Sequence, residues 1–400
     1  MSEWKKVKLG ELCEFINGGA WSDKEYVSEG IPVLKVTNCK TTGFVLSELN
    51  YLPSSSRQKY SQNELQLNDV IIATVGSHPN LVNSAAGRSV IVNSLVVGFF
   101  LNQNAVCIRT KNNNILNQLY LGYYSKYYLF QNYIQMRGKG AANQMRIAIS
   151  AIKDYPMPLL PIENQERIAT ILSRYDSLIE NYQKQIKLLE ESAQRLYKEW
   201  FIDLRFPGHE NTKIVDGVPE GWEKKTIGDI VVYHDKQRKP LSSMQRMNME
   251  KIYPYYGAAA LMDYVDSYLF DGIYLLFGED GTVITPDNFP VLQYVWGKFW
   301  VNNHAHVIRG IDGVSTEFLY SMFKEMPIAD IVTGAAQPKI SQGRLSDKKI
   351  LMPSLKLIQE WSCTAKHYFG RIRMITDQIR HLTEARDRLL PKLMNGEIKV

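Results

Sequence analysis

The chain begins the same unit twice. Trp4 is followed by Leu9-Gly10 and then Glu11-Leu12, and Trp222 is followed at the same spacing by Ile227-Gly228 and then Asp229-Ile230. The copies also close alike. Gly140-Ala141-Ala142 and Gly334-Ala335-Ala336 each lead to a Met-Pro (Met157-Pro158, Met352-Pro353), then to Gln-Glu (Gln165-Glu166, Gln359-Glu360), then to a long helical run. A chain duplicated in this way folds as two like domains. It either recognises something that is itself two-part or builds a two-fold frame from one polypeptide.

The helical runs are the cleanest local signal. Ile168, Leu172, Tyr175, Ile179, Tyr182, Ile186, Leu189, Ala193, Leu196 and Trp200 step by four and three without a break. In the second run Ile372, Ile375, Ile379, Leu382, Arg386, Leu389 and Leu393 keep that register, with Arg386 as the polar departure. Such a repeat is a coiled-coil seam. A helix packed on its own domain gives a similar stripe, but a heptad shared by both copies favours pairing of the two helices. Residues 176–203 contain neither Pro nor Gly, and at ~1.5 Å per residue they span about 42 Å. The first helix carries the chain towards the second domain and the second helix carries it back.

The expected fold is therefore α+β, with two globular domains separated by two long antiparallel coiled-coil helices and a pseudo-two-fold internal repeat. The expected boundaries are a first domain at 1–154, a central helical region at 155–205, a linker at 206–221, a second domain at 222–354 and a C-terminal helical region at 355–400. Within the domains, short apolar runs such as Val70-Ile71-Ile72-Ala73, Ser89-Val90-Ile91-Val92 and Tyr274-Leu275-Leu276-Phe277 read as buried strands. Residues 117–136 read as one helix dense in tyrosine.

Charge narrows the partner class. Residues 70–153 contain no Asp or Glu, while Arg88, Arg109, Lys111, Lys126, Arg137, Lys139, Arg146 and Lys153 are all basic. An acid-free basic stretch rich in Asn, Gln and Tyr suits phosphates, with amides to read base edges. The second copy is not basic overall; its positive charge clusters at Lys236, Arg238, Lys239, Arg246 and Lys251. The longest apolar stretch, residues 95–101, is too short to span a membrane, and the N-terminus lacks the apolar core of a signal peptide. The scattered Cys13, Cys39, Cys107 and Cys363 form neither a disulfide framework nor a metal-site spacing. A cytoplasmic protein with reduced thiols is expected.

No catalytic constellation is evident. Arg137-Gly138-Lys139-Gly140 lacks the spacing and hydroxyl of a phosphate-binding loop, no Gly-x-Gly-x-x-Gly follows a strand, and the Asn/Asp-Pro-Pro-aromatic motif of an amino-methyltransferase is missing. His304 and His306 would share a strand face, but without a Cys or a clear carboxylate partner they read as structural, and no metal is expected. Glu279-Asp280-Gly281 reads as a turn.

At this point the residues carry a family resemblance. Pro254-Tyr255-Tyr256-Gly257-Ala258, Phe270-Asp271-Gly272, Gly278-Glu279-Asp280-Gly281, Val301-Asn302-Asn303-His304-Ala305-His306 and the ending from Leu389 to Ile398 are similar to the specificity subunit of type I restriction-modification systems. The first domain matches in its framework alone, at Leu9-Gly10 and residues 158–166. The resemblance implies two target-recognition domains in a chain that catalyses nothing. Such a subunit binds a bipartite, asymmetric double-stranded DNA site and recruits two adenine-methylating subunits and then restriction/translocase subunits. S-adenosylmethionine, ATP and Mg²⁺ belong to those partners, and this chain itself needs no cofactor.

Lys and Arg are expected to contact phosphates, and Asn, Gln and Arg to read major-groove edges. The candidates are Arg137, Lys139, Asn143, Gln144 and Arg146 in the first domain, and Arg238, Lys239, Asn303, His304, Gln337 and Lys339 in the second. Ile179, Tyr182, Ile186, Leu189, Leu196, Ile372, Ile375, Ile379, Leu382 and Leu389 are expected to pair the helices or dock partners. Domains about 40 Å apart would lie near the ~34–36 Å of one DNA turn. The competing readings are a coiled-coil adaptor whose domains bind proteins and a self-contained enzyme; steep salt dependence of duplex binding separates the first from DNA recognition.

Overall fold

The fold is that of a computed structural model, which describes residues 4–40, 43–46, 49–77, 85–141, 144–334 and 336–400. The chain divides into two compact units, Met1–Glu180 with Arg380–Val400, and Asn181–Ile379. Both division points fall inside helices of 40 residues, Ile162–Phe201 and Leu355–Met394. Each unit thus takes one half of each long helix.

In the first unit an antiparallel sheet has the order Cys13–Asn17, Ala105–Thr110, Val70–Ala73, Ser89–Ile91. Val70–Ala73 is buried at every position, as a continuous apolar run covered on both faces should be. The two-residue period divides it: Val70 and Ile72 face the helices Gln118–Ser125 and Tyr128–Gln135, while Ile71 joins Val90 and Cys107 in a second cluster. The stretch expected as one helix over 117–136 is thus two. Asn117 caps the first by accepting Tyr120 N–H at 2.9 Å, and Tyr127 takes an extended conformation that breaks the run.

The second unit repeats the plan. Val231–Tyr233, Ala305–Gly310, Phe270–Gly278 and Leu292–Val301 pair antiparallel in the same order, and Tyr253–Tyr256 and Leu261–Val265 extend the sheet. Leu275 and Phe277 face the helix Thr316–Lys324, while Tyr274 and Leu276 face away from it.

The repeated ends now have a physical reason. Lys6–Lys8 pairs with Pro156–Pro158, and Glu223–Thr226 pairs with Lys349–Met352. Leu9 N–H then donates to Tyr155 O at 2.9 Å, and Ile227 N–H to Lys348 O at 3.0 Å. At the next residue the chain packs tightly enough that a side chain would crowd its neighbour. A Cβ on Gly10 would stand 3.0 Å from Lys153 Cβ, and one on Gly228 3.2 Å from Ser346 Cβ. The shared opening and the shared Met-Pro closing are two strands of one clasp. The peptide 206–221, expected as a linker, lies within the second unit and is not a plain loop: it carries a hairpin of Ile214–Val215 and Val218–Pro219.

Within each unit the two long helices pack on each other and run antiparallel. In the first, Ile168 and Leu172 share the core with Leu390, Leu393 and Met394, and Arg386 meets Asp176 one turn further on. In the second, Ala193, Tyr197 and Phe201 share the core with Trp361, Ala365 and Phe369; the Tyr197 and Trp361 rings lie 5.8 Å apart at 90°. The apolar stripe therefore serves both functions weighed from the sequence. It brings the helices together, and its outer turns enter the core of the globular domain beside them. The polar departure at Arg386 is an anchor: its guanidinium donates to Asp176 Oδ1, while Tyr123 OH donates to Asp176 Oδ2 at 2.8 Å.

Candidate nucleic-acid interface

In the first unit the candidate residues gather on a hairpin. Lys139–Ala141 pairs with Gln144–Arg146, which pairs in turn with Val75–Gly76, just beyond the central strand Val70–Ala73. The register places Lys139 directly opposite Arg146, both exposed, whereas Met145, the residue before Arg146 and opposite Gly140, is buried. Among the described residues neither cation has an acid partner. Like charges directly opposed across strands destabilise a ladder, so this pair is a cost that an incoming anion removes. Arg137 sits at the end of the preceding helix, its guanidinium 3.5 Å from the Tyr133 ring centroid and donating to Tyr133 O at 3.0 Å. Gly138 lets the chain turn against Met145, since a Cβ there would fall 1.7 Å from the Met145 methyl. Gln144 takes its place in the hairpin opposite Ala141; Asn143 lies outside the described residues.

The rest of the acid-free stretch does not present a uniform positive face. Arg109 donates to both oxygens of the buried Asp69 (2.7 and 2.8 Å) and to Glu64 O at 2.6 Å. Arg88 donates to Cys39 O at 2.7 Å, and Lys111 to the carbonyls of Gly10 and Glu11. These cations hold the domain together. Arg137, Lys139 and Arg146 are the ones concentrated at one place and turned outward.

The second unit builds the matching place from three turns. Glu279 N–H donates to His304 O at 2.9 Å, Gly281 N–H to Pro338 O at 3.0 Å, and Ile340 N–H to Glu279 O at 2.9 Å. Asp280, half-buried, is the hub. Gln337 Nε2 donates to its Oδ1 at 2.7 Å, His304 Nδ1 lies 3.7 Å from its Oδ2, and Lys339 bridges its backbone. Asn303, His304, Gln337 and Lys339 are exposed and contiguous. In place of the hydrogen-bonded turn expected at Glu279-Asp280-Gly281, Asp280 forms a bridge with Lys339, the chain bends at Gly281, and Glu279 points inward.

Beneath that surface lies a charge cluster that sequence reasoning missed. Arg238 Nη1 donates to Glu279 Oε2 and to Ala305 O, each at 2.6 Å. Asp235 accepts from Val307 N–H at 2.8 Å and from His306 Nδ1 at 2.6 Å, and His306 Nε2 donates to Ile340 O at 2.9 Å. Asp235, Glu279 and His306 are close enough to hold a metal, yet the donor set is already taken. Both ring nitrogens of His306 face acceptors, and the Arg238 guanidinium supplies the positive charge. Arg238 is thus committed internally, in contrast to the DNA contact expected of it. His304 lies in the turn before Ala305–Gly310 and does not share a strand face with His306. Arg246 and Lys251 are likewise paired, both with Asp263 (3.2 and 3.0 Å). Lys239 is exposed, with its carbonyl held by Trp300 Nε1 at 2.6 Å.

The helix residues divide by unit. Ile179 is buried, and Leu382 and Leu389 are half-buried, in the first; Ile372 and Ile375 are buried, and Tyr182, Ile186, Leu189, Leu196 and Ile379 half-buried, in the second. Burial pushes the Cys13 and Cys39 thiols up to about 12, which suits inert core residues and not nucleophiles. No helix among the described residues is long and apolar enough to cross a membrane.

Comparison with known proteins agrees with this architecture. Residues 1–191 and 219–371 match the family described as type I restriction modification DNA specificity domain. The chain belongs to that family, and carries its domain twice. It is 28% identical over 273 residues to the Type I restriction enzyme MjaIX specificity subunit of Methanocaldococcus jannaschii, a match that covers 63% of this chain and 62% of that relative. Against the putative MjaX specificity subunit of the same organism the identity is 22% over 417 residues, covering 100% of this chain and 94% of the relative. The crystal structure of a Type-I restriction-modification system S subunit from M. genitalium has the same fold, with a TM-score of 0.55 at 17% identity, covering 98% of this chain and 96% of that one.

Proposed function

We propose that this chain is the non-catalytic subunit that gives a type I restriction-modification complex its DNA sequence specificity, reading one half of a bipartite, asymmetric double-stranded site with each unit. The observation that carries this reading is the topological equivalence of the two candidate surfaces. In each unit the segment after the Gly-Ala-Ala returns beside the extension of the central strand: Arg146 opposite Val75 in one, Lys339 bridging Asp280 in the other. Each return brings an exposed cation, Arg146 in one and Lys339 in the other, and around them the two copies differ. One surface is cationic, with no acid partner to its cations among the described residues; the other is organised around Asp280. Shared frame with divergent tips suits two different half-sites.

Lys139, Arg146, Lys239 and Lys339 are assigned to phosphates; Arg137, Asn143, Gln144, Asn303, His304 and Gln337 are assigned to base edges. Arg238 acts from below, by fixing the turn that carries Asp280. The paired long helices serve as a coiled-coil spacer between the half-sites and as the docking surface for two methyltransferase subunits, with restriction/translocase subunits joining them. S-adenosylmethionine, ATP and Mg²⁺ are assigned to those partners, and the complex to the cytoplasm. The test is binding of the full chain to a labelled duplex at several salt concentrations. Affinity should fall steeply with salt; salt-independent binding, or none, would leave a protein-binding adaptor as the better account.

A further inference from the structure

The second unit holds an aromatic pocket that DNA recognition does not use. Tyr294 and Trp296 from the strand Leu292–Val301, Tyr320 from the helix Thr316–Lys324 and Phe369 from the second long helix surround it, with Tyr294 centroids 5.1–5.7 Å from the other three rings. The cavity is about 200 Å³, where one water needs only ~10–15 Å³. Of the lining residues Glu190 alone is charged. Its carboxyl has no hydrogen bond and no ion pair among the described residues. Burial pushes it above the usual carboxylate range, with Glu191 adding to that and Lys324 opposing it.

The neighbouring charges are already placed. Arg373 is bonded to Glu317 at 3.0 Å and to Tyr294 OH, and Lys324 Nζ lies over the outer ring of Tyr320, 5.1 Å from its centroid. Burying an unpaired carboxylate is costly, and a cation entering the pocket removes that cost. Ring faces attract the same cation. A planar guanidinium meets both demands, because it stacks on rings, pairs with carboxylates through two N–H groups and is weakly hydrated. An apolar guest would leave Glu190 unpaired, and one carboxylate is too few ligands for a metal ion. The lining also offers nothing to the α-carboxylate of a free amino acid, and its one carboxylate is matched by the guanidinium, so we take the guanidinium to arrive on a chain.

We propose that this pocket receives an arginine side chain of a partner protein seated against the two long helices, with its guanidinium between Glu190 and the Tyr294, Trp296, Tyr320 and Phe369 rings. The proposal rests on the reading of the long helices as a docking surface and is independent of how the chain reads DNA, so a failure of duplex binding leaves it standing. Its test titrates the full chain with N-acetyl-arginine amide and follows the Trp296 indole N–H by NMR, assigned with Trp296→Phe. Saturable binding is expected below roughly 100 mM, weakened by about ten-fold or more in Glu190→Gln; the uncharged N-methylurea should leave the signal unmoved. Glu190→Gln is isosteric and removes an unpaired charge, so it should melt no lower than the parent chain. Equal affinities in the parent and Glu190→Gln, or no saturation in either, would overturn the proposal. Tighter binding of tetramethylammonium, or of free arginine, than of N-acetyl-arginine amide would overturn the assignment to a protein-borne arginine.

Discussion

Replacing Lys139 and Arg146 together by alanine separates a phosphate-binding pair from ordinary surface charge. The two residues are cross-strand partners, exposed and without acid partners among the described residues. If each meets one phosphate, each adds ~0.9 to the slope of log affinity against log salt. The double variant should lose about 1.8 of that slope. Between 50 and 200 mM salt the advantage of the parent chain over the variant should then shrink by about 12-fold. Stability should move the other way or not at all, because the substitution relieves a like-charge opposition of ~0.2–1 kcal/mol. Fluorescence anisotropy on a duplex of arbitrary sequence gives the slopes, and urea unfolding gives the stability. Parallel salt slopes, or a binding loss matched by a loss of stability, would refute the assignment of this hairpin to phosphates.

Other outcomes follow from the same geometry. Gln144→Ala should relax discrimination at one base pair with the salt slope unchanged, read by binding to duplexes varied one position at a time; a uniform loss on all sequences would count against a base contact. Asp235→Ala should destabilise the second unit by about 3–5 kcal/mol in urea unfolding, since it leaves His306 without its carboxylate and breaks the network with Arg238; a loss under ~1 kcal/mol would mean that the network is not what holds the turns. Asp263 is held below the usual carboxylate range, with Lys251, Tyr264 N–H and Arg246 outweighing desolvation that pushes it up. A depressed carboxyl stabilises the fold above its unfolded value of ~3.9 and loses that contribution as pH falls through its folded value. Asp263→Asn should therefore be the less stable protein at pH 6, by urea midpoints, and the gap to the parent chain should narrow as pH falls below ~3.9; a constant gap would remove the charge argument.

The parts legible in the sequence are those written in short range. The clasp of Leu9-Gly10 with residues 153–158 was visible as a repeat, since the same close approach recurs at Gly228 and imposes the same residues. Val70–Ala73 was visible because a strand covered on both faces leaves no polar position. What was not legible depends on pairings between distant residues. Arg109 and Arg238 read as free cations because Asp69 and Glu279 lie some forty positions away, and nothing local announces a buried ion pair. The break at Tyr127 was hidden by the helical period on either side of it. Arg386 looked like a flaw in the stripe; only the arrival of Asp176 and Tyr123 shows why a polar residue belongs there. The Gly-Ala-Ala segments match in the sequence, but that both return beside the central strand depends on the register.

The measurement closest to the central claim is a map of N6-methyladenine in host DNA, made with and without the gene and with an altered chain in which one heptad is inserted into both long helices. The account predicts two different half-sites separated by a fixed spacer, with marks on both strands that vanish without the gene. A heptad adds about 10 Å, so the altered chain should lengthen the spacer by roughly three base pairs. A continuous motif, marks that persist without the gene, or methylation at an unchanged spacer by the altered chain would contradict it.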